Sequence, residues 1–198
     1  TAATPSAATA TSLTVTVPAN TGSGRIAVTT AAGSASSTGD FIVPPSPYST
    51  TDIASAGRIT AGTATTVTVP TAGKIALRLF DGVQGQRVSI LGIDGVWGQV
   101  WPQCDLNVSI RKPDGSVLVN PVCMEGSGFL DATTLPATGT YTIVVDLEGN
   151  VTGGITLTLY FPADVTGTIT PGGSPVTATL STPGQNALFT FSGTAGQR

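Results

Sequence analysis

Histidine is absent from this chain of 198 residues, and several chemistries go with it. No imidazole is present to act as a general base, complete a Ser-His-Asp triad or ligate a metal. Charge is scarce as well: 10% of residues, with eight Lys or Arg against eleven Asp or Glu, for a net charge of −3. The basic residues are scattered. Counterion release from phosphates needs a dense cationic face, so no nucleic-acid partner is expected. The longest apolar runs fall far short of the ~20 residues that span a bilayer, so no membrane insertion is expected. No signal-peptide pattern stands at the N-terminus, and the first residue is Thr1 rather than Met. Export is therefore not excluded, since the sequence reads as an internal piece. Low charge combined with 40% hydrophobic residues argues against a disordered tail.

Cysteine is limited to Cys104 and Cys123. Their spacing is far from C-x-x-C, and no His completes a zinc site. A lone pair in such a chain reads as one disulfide rather than a metal or redox site. What the chain does have is Gly (25) and Pro (14), set among many Thr, Ser and Val. β-Branched residues suit pleated strands, and Gly and Pro supply tight turns. The expected class is all-β, built as tandem β-sandwich domains.

Residues 1–43 carry three strand candidates, Ser12–Pro18, Arg25–Thr30 and Ser37–Val43. Leu13, Val15 and Val17 alternate onto one face of the first. The run "TVTVP", a Gly-containing turn, "IAVTT" and "DFIV" resembles the C-terminal half of an IPT/TIG immunoglobulin-like domain. Residues 44–56, "PPSPYSTTDIASA", read as a Pro-stiffened linker acting as a spacer.

Residues 57–163 read as one complete domain. Its strand candidates are Gly57–Thr60, Thr65–Pro70, Lys74–Asp81, Gln86–Ile93, Asp105–Arg111, Ser116–Asn120, Thr140–Glu148 and Gly154–Phe161. "KPDG" (Lys112–Gly115) is a hairpin turn, with Pro setting φ and Gly taking the left-handed position. Leu106, Val108 and Ile110 should face inward, as should Tyr141, Ile143, Val145 and Leu147; Asp105, Asn107, Ser109 and Arg111 should face out. Eight short antiparallel strands imply a jelly-roll-type sandwich. "CDLNVSIRKPDGSVL", "LPATGTYTIVVD" and "GGITLTLY" together resemble a bacterial pre-peptidase C-terminal (PPC) domain. The combination of an IPT/TIG segment with serial domains of this kind is similar to large secreted or surface-attached bacterial proteins, including some RHS/YD-repeat proteins.

Residues 164–198 repeat the start of that domain. "GRITAGTATTVTVPTAGKIALRLFDGVQGQR" aligns with "GTITPGGSPVTATLSTPGQNALFTFSGTAGQR". Ile59 falls on Ile169 and, after a one-residue insertion, Phe80 falls on Phe191. Arg78 stands where the second copy has Phe189. The segment reads as the N-terminal part of a second PPC-like repeat.

Catalytic residues are not expected. The serines lack a G-x-S-x-G elbow, and "GSGF" (Gly126–Phe129) does not supply one. Asp94, Asp105, Glu125 and Asp131 are the carboxylates that could converge, yet each also suits an ordinary turn or strand exit. PPC-like domains can carry calcium near a "D-x-D-L" strand; here the first Asp of that pattern is Cys104, which leaves Asp105 as the resemblance's one ligand. Solvated acidic loops are the first reading and no cofactor is expected, with calcium at Asp105 as the alternative. Trp97 and Trp101 could stack on sugar rings, although a pair that covers one end of the sandwich and shields the disulfide is the preferred reading. "NVS" at Asn107 and "NVT" at Asn150 match a glycosylation sequon that carries little weight in a bacterial chain.

These features point to a non-catalytic structural module of a long extracellular bacterial surface protein, a stalk, sheath or filament segment. Neighbouring copies or adjacent domains are its expected partners. One rival is a carbohydrate- or protein-binding adhesion module using Trp97 and Trp101, with a glycan as partner. Another is an accessory domain of a secreted peptidase or toxin. Because Cys104 and Cys123 flank the "KPDG" hairpin, a bridge between them is geometrically plausible. It should contribute about 3 kcal/mol for a loop of this length. Thiol labelling of the unreduced, denatured protein is expected to find no reactive sulfur; two labelled thiols would refute the bridge.

Overall fold

The computed structural model describes residues 2–95 and 104–196. Among them, every regular element is a β-strand except one 3-10 turn, Thr50–Asp52. The chain begins with two hairpins. β1 (Pro5–Ala8) pairs antiparallel with β2 (Leu13–Val15), and β3 (Gly24–Thr30) pairs antiparallel with β4 (Gly33–Phe41). The strands expected over residues 1–43 therefore do not join into one half-sandwich: β2 takes β1 as its partner, and the two hairpins form separate two-stranded sheets.

Nine strands then build a sandwich. They are β5 (Ile53–Arg58), β6 (Thr65–Val69), β7 (Ile75–Gly82), β8 (Arg87–Gly95), β9 (Leu106–Arg111), β10 (Val117–Cys123), β11 (Gly126–Thr134), β12 (Gly139–Leu147) and β13 (Gly153–Tyr160). One sheet has the order β10-β9-β12-β7-β5 and the other β11-β8-β13-β6. The turn between β9 and β10 closes on Gly115, whose φ of +82° is the left-handed conformation that only Gly adopts without cost. Gly115 N–H donates to the Lys112 carbonyl at 2.8 Å.

Two features of this sandwich differ from the reading of residues 57–163. Strand β11 has no counterpart among the strand candidates. Its sequence, GSGFLDATT, buries only Leu130, so it lacks the alternation that marks a half-buried strand. β5 starts inside the segment read as linker and runs parallel to β7, with Gly57 opposite Arg78. The sandwich thus differs from eight antiparallel strands at that edge.

The core forms where the two sheets face each other. Leu106, Val108 and Ile110 from β9 and Tyr141, Ile143, Val145 and Leu147 from β12 meet Val88 and Ile90 from β8 and Ile155, Leu157 and Leu159 from β13. Period-two alternation on paired strands puts these side chains on one face of each sheet. Tyr141 stacks on Phe80 with ring centroids 5.4 Å apart, and its hydroxyl donates to the Ala137 carbonyl at 2.6 Å. The ring is thereby buried without stranding its polar end.

The outer face of the five-stranded sheet is apolar too. Ile75, Leu77 and Leu79 on β7 and Val144 on β12 are buried there, under Ile42, Tyr48 and Ile53. Residues 42–53 are thus a strap packed on the sheet, and the expected spacer is docked. Two of the residues expected to face solvent do not. Asp105 and Ser109 are buried at 6% and 5% exposure. The strap is pinned by the Tyr48 hydroxyl, which donates to Asp146 Oδ2, and by Lys74 Nζ, which donates to the Thr51 carbonyl at 2.9 Å.

The final segment repeats the opening of the sandwich in three dimensions. β14 (Val165–Thr168) runs parallel to β15 (Ala187–Thr190), with Gly167 opposite Phe189. This is the counterpart of Gly57 opposite Arg78, as the aligned sequences require. Left-handed glycines recur at aligned positions: Gly62 and Gly172 at φ +76° and +75°, and Gly85 and Gly196 at +84° and +85°. At Gly167 a Cβ would lie 2.7 Å from Cε1 of Phe189, whereas at Gly57 it would meet nothing. The second copy therefore packs an aromatic ring over a glycine at the position where the first holds an arginine.

Burial, then the neighbouring Asp146 carboxylate, push the Tyr48 phenol well above its ordinary value of 10.0. The native state thus keeps this proton after the unfolded chain has lost it. By linkage, the stability contributed is present below about pH 10 and is lost as pH rises above it. In urea titrations Tyr48→Phe is expected to cost about 1–2 kcal/mol at neutral pH and to flatten the fall in stability above about pH 10. An unchanged alkaline limb in that variant would remove Tyr48 as its cause.

Candidate functional site

The acidic candidates sit at the end of the sandwich where the disulfide closes. Cys104 enters β9 and Cys123 ends β10, opposite Asn107. The two form a disulfide with Cα atoms 5.7 Å apart, inside the usual span for such a bond. The bridge brings Glu125 beside Asp105: Glu125 Oε1 accepts the Asp105 backbone N–H at 2.7 Å. The Asp105 carbonyl in turn accepts the Glu148 N–H at 2.9 Å. Asp105 Oδ2 is buried and has no hydrogen-bond partner.

The other two carboxylates do not complete a cluster. Asp94 precedes Gly95, which pairs with Gly126 at the start of β11. Asp131 lies farther along β11 and accepts the next backbone N–H, that of Ala132, at 2.6 Å. Among the described residues, the one grouping of three potential metal ligands is Cys104, Cys123 and Glu125. The two sulfurs are bonded to each other and offer no thiolate, the form that binds metals. Calcium takes six to eight oxygens, and no such cage surrounds Asp105 among the described residues. Gly126–Phe129 lies within β11 rather than on a strand-to-helix elbow. The sequon residue Asn107 is half-buried and donates from Nδ2 to the Cys104 carbonyl at 3.3 Å, while Asn150 is exposed. Trp97 and Trp101 lie outside the described residues.

The polar groups that the fold does assemble are at its joints. Arg58 at the end of β5 grips Asp40 of β4 with two hydrogen bonds, Nε to Oδ2 at 2.9 Å and Nη2 to Oδ1 at 2.7 Å. Its Nη1 reaches Asp81 of β7 at 2.6 Å. The bidentate fork suits guanidinium and carboxylate planes. Arg58, hydrogen-bonded to it, holds the Asp40 carboxyl below the usual carboxylate range. Arg87 pairs with Asp164 just before β14. Ser89, fully buried on β8, donates to the Pro183 carbonyl at 2.8 Å. Gly184 packs against the same side chain, since a Cβ there would lie 2.8 Å from Ser89 Oγ.

Ion pairs and backbone contacts therefore seat the leading hairpin and the trailing segment on the sandwich. No sequence motif marks these residues. Tyr48 and Asp146 are 98 positions apart, and only the strand order brings such partners together. The one signal that could have pointed to the strap is the row Ile75, Leu77 and Leu79, whose parity is opposite to that of the core-facing Phe80.

No family model matches the chain, and no curated protein matches it. Solved structures that resemble the chain include the following. The pre-peptidase C-terminal domain of a collagenase from Bacillus anthracis is 13% identical, with 52% of this chain and 93% of that one covered at a TM-score of 0.37. PliG of Aeromonas hydrophila, a periplasmic lysozyme inhibitor of g-type lysozyme, is 17% identical over 55% of this chain and 96% of that one, at 0.34. A mutant of the corresponding inhibitor from Escherichia coli is 11% identical over 53% and 97%, at 0.32. At these scores the likenesses carry no argument about function. The β-sandwich rests on the strand pairing itself.

The acidic end generates a metal test. Melting temperatures in calcium and in EGTA are expected to coincide, and Asp105→Asn is expected to change stability by no more than about 1 kcal/mol in either. A calcium-dependent rise in melting temperature that disappears in Asp105→Asn would instead assign a metal to this end.

Proposed function

We propose that the chain is a non-catalytic structural module of a long extracellular bacterial surface protein, a segment of a stalk, sheath or filament. The observation that carries this reading is the recurrence of β5 and β7 as β14 and β15, in the same parallel register and with the same left-handed glycines. Repetition of a sandwich along one chain builds length, and length is what a stalk or filament supplies. The docked strap and the Arg58 and Arg87 pairs favour a stiff succession of units over a flexible tether. The disulfide suits an oxidising compartment. Among the described residues, no helix is long and apolar enough to cross a membrane.

The partners in this proposal are neighbouring copies or adjacent domains. In the complete sandwich, β7 carries β12 on the edge opposite β5. Among the described residues, β15 has only β14, and a lone two-stranded sheet is marginal in water. Leu188 and Phe191 are exposed nearby, as are Leu13, Val15 and Val17 in the leading segment. Phe189 is half-buried against Gly167. A strand playing the part of β12 would pair the free edge and cover the apolar row.

Hydrogen exchange on the full chain, followed over a range of concentrations alongside sedimentation, tests the proposal. Amides of β14 and β15 are expected to exchange quickly in dilute monomer and to slow as the chains associate. Strong protection of both strands in a monomer, independent of concentration, would show that no partner is needed and would sink the reading.

A further inference from the structure

A cleft of about 360 Å³ opens where the leading segment meets the sandwich, at the end of β9 opposite the disulfide. One wall is formed by residues 20–23 and 43–46. The other is formed by the end of β9 and the turn that follows it, with Thr142 of β12 alongside. The two walls are held together. Gly22 N–H donates to the Pro113 carbonyl at 3.0 Å, and a Cβ on Gly22 would lie 2.6 Å from that oxygen. Ser23 Oγ ties the first wall to itself, accepting the Val43 N–H at 2.9 Å. The cleft is thus built by docked backbone, and its volume lies within the range of roughly 300–1,000 Å³ typical of small-ligand sites.

Its charge is unusual for this protein. Two cations line it, Arg111 and Lys112, against one carboxylate, Asp114, in a chain whose net charge is −3. The Asp114 carboxylate is already engaged by Ser116, accepting its N–H at 2.9 Å and its hydroxyl at 2.6 Å. Neither cation forms an ion pair among the described residues. Arg111 Nε is buried and has no hydrogen-bond partner, and a buried donor left unpaired is costly. Directly across the β9–β12 ladder from Arg111 stands Thr142, which is 5% exposed.

These groups suit an anion with hydroxyls. A guanidinium presents a planar fork that matches a carboxylate. Thr142 and Ser46 add hydroxyls, and Val43, Pro44 and Pro45 supply an apolar strip for the C–H face of a ring. Among the described residues no aromatic side chain lines the cleft, so these residues offer a neutral sugar no stacking platform of the kind such ligands usually depend on.

We propose that this cleft binds a carboxylated sugar, its carboxylate held by Arg111 and Lys112 and its ring hydroxyls by Thr142 and Ser46. The proposal stands whether or not the chain assembles into a filament. Because its walls belong to the leading segment and to the sandwich, an occupied cleft also locks that joint.

Nuclear magnetic resonance of the isotope-labelled full chain, titrated separately with D-glucuronate, D-glucose, acetate and phosphate, decides the matter. Glucuronate is expected to shift the Arg111 Nε–H resonance together with the amides of Thr21–Ser23 and Lys112–Gly115. Glucose is expected to leave them in place, and acetate and phosphate to bind at least about tenfold more weakly, the loss of one good contact. Arg111→Gln should abolish the shifts and Lys112→Gln should weaken binding several-fold, while Trp101→Ala leaves it unchanged. Shifts that map elsewhere, equal affinity for phosphate, or binding that survives Arg111→Gln overturns the proposal. Should Arg111→Gln fail to fold, the shift map of the unaltered chain decides alone.

Discussion

A single strand that is apolar on both faces governs this molecule. β7 sends Ala76 and Phe80 into the core between the sheets and Ile75, Leu77 and Leu79 to the other side. A sheet with one wet face needs no cover there, but three buried aliphatic side chains in a row cannot be left in water. At about 25 cal/mol per Å² of apolar surface, each contributes on the order of 2 kcal/mol when covered. The cover is the strap of residues 42–53, and its presence dictates what comes before and after it.

From the strap, β5 runs on alongside β7 and in the same direction. No tight turn joins the two strands, so the pairing is free to be parallel. Arg58 then stands at the end of β5, where Asp40 and Asp81 reach it from two different elements. Tyr48 is carried over Asp146, and the turn at residues 20–23 is brought onto the hairpin after β9. The leading joint, with its Arg58 ion pairs, and the cationic cleft are assembled on the same side of the chain as this cover. In the second copy, β14 arrives beside β15 in the same parallel register without a Pro-rich strap. There the aromatic Phe189 over Gly167 replaces the half-buried Arg78, whose guanidinium reaches Ser55 Oγ and the Leu77 carbonyl.

Much of the sandwich could be read from the residues alone. The alternation of Leu106, Val108 and Ile110 and of Tyr141, Ile143, Val145 and Leu147 placed two central strands and their inward faces, because period-two burial leaves a local trace. The repeated segment was legible for the same reason: its left-handed glycines and apolar rows are local requirements. β11 was not, since an edge strand that buries one side chain has no need of a pattern. Asp105 and Ser109 were assigned to solvent by parity. Ser109 stands opposite Val144, which the strap covers, and Asp105 is buried beside Glu125; nothing in β9 encodes either contact.

The site residues divide along the same line. Two cysteines and no histidine suffice to favour a bridge over a zinc site, because ligand chemistry is a matter of residue type. Arg111 is unremarkable in the sequence, one basic residue at the end of an alternating strand. It faces a cleft only because residues 20–23 and 43–46 fold back over the sheet. Composition and periodicity determined that this chain would form strands, where the central ones lie and that a sandwich start recurs, since each of those rests on contacts between near neighbours or on backbone conformation. Tertiary structure alone decided which outer face is covered, which charges meet and where a cleft opens, because those outcomes depend on segments far apart in the chain approaching the same patch of sheet.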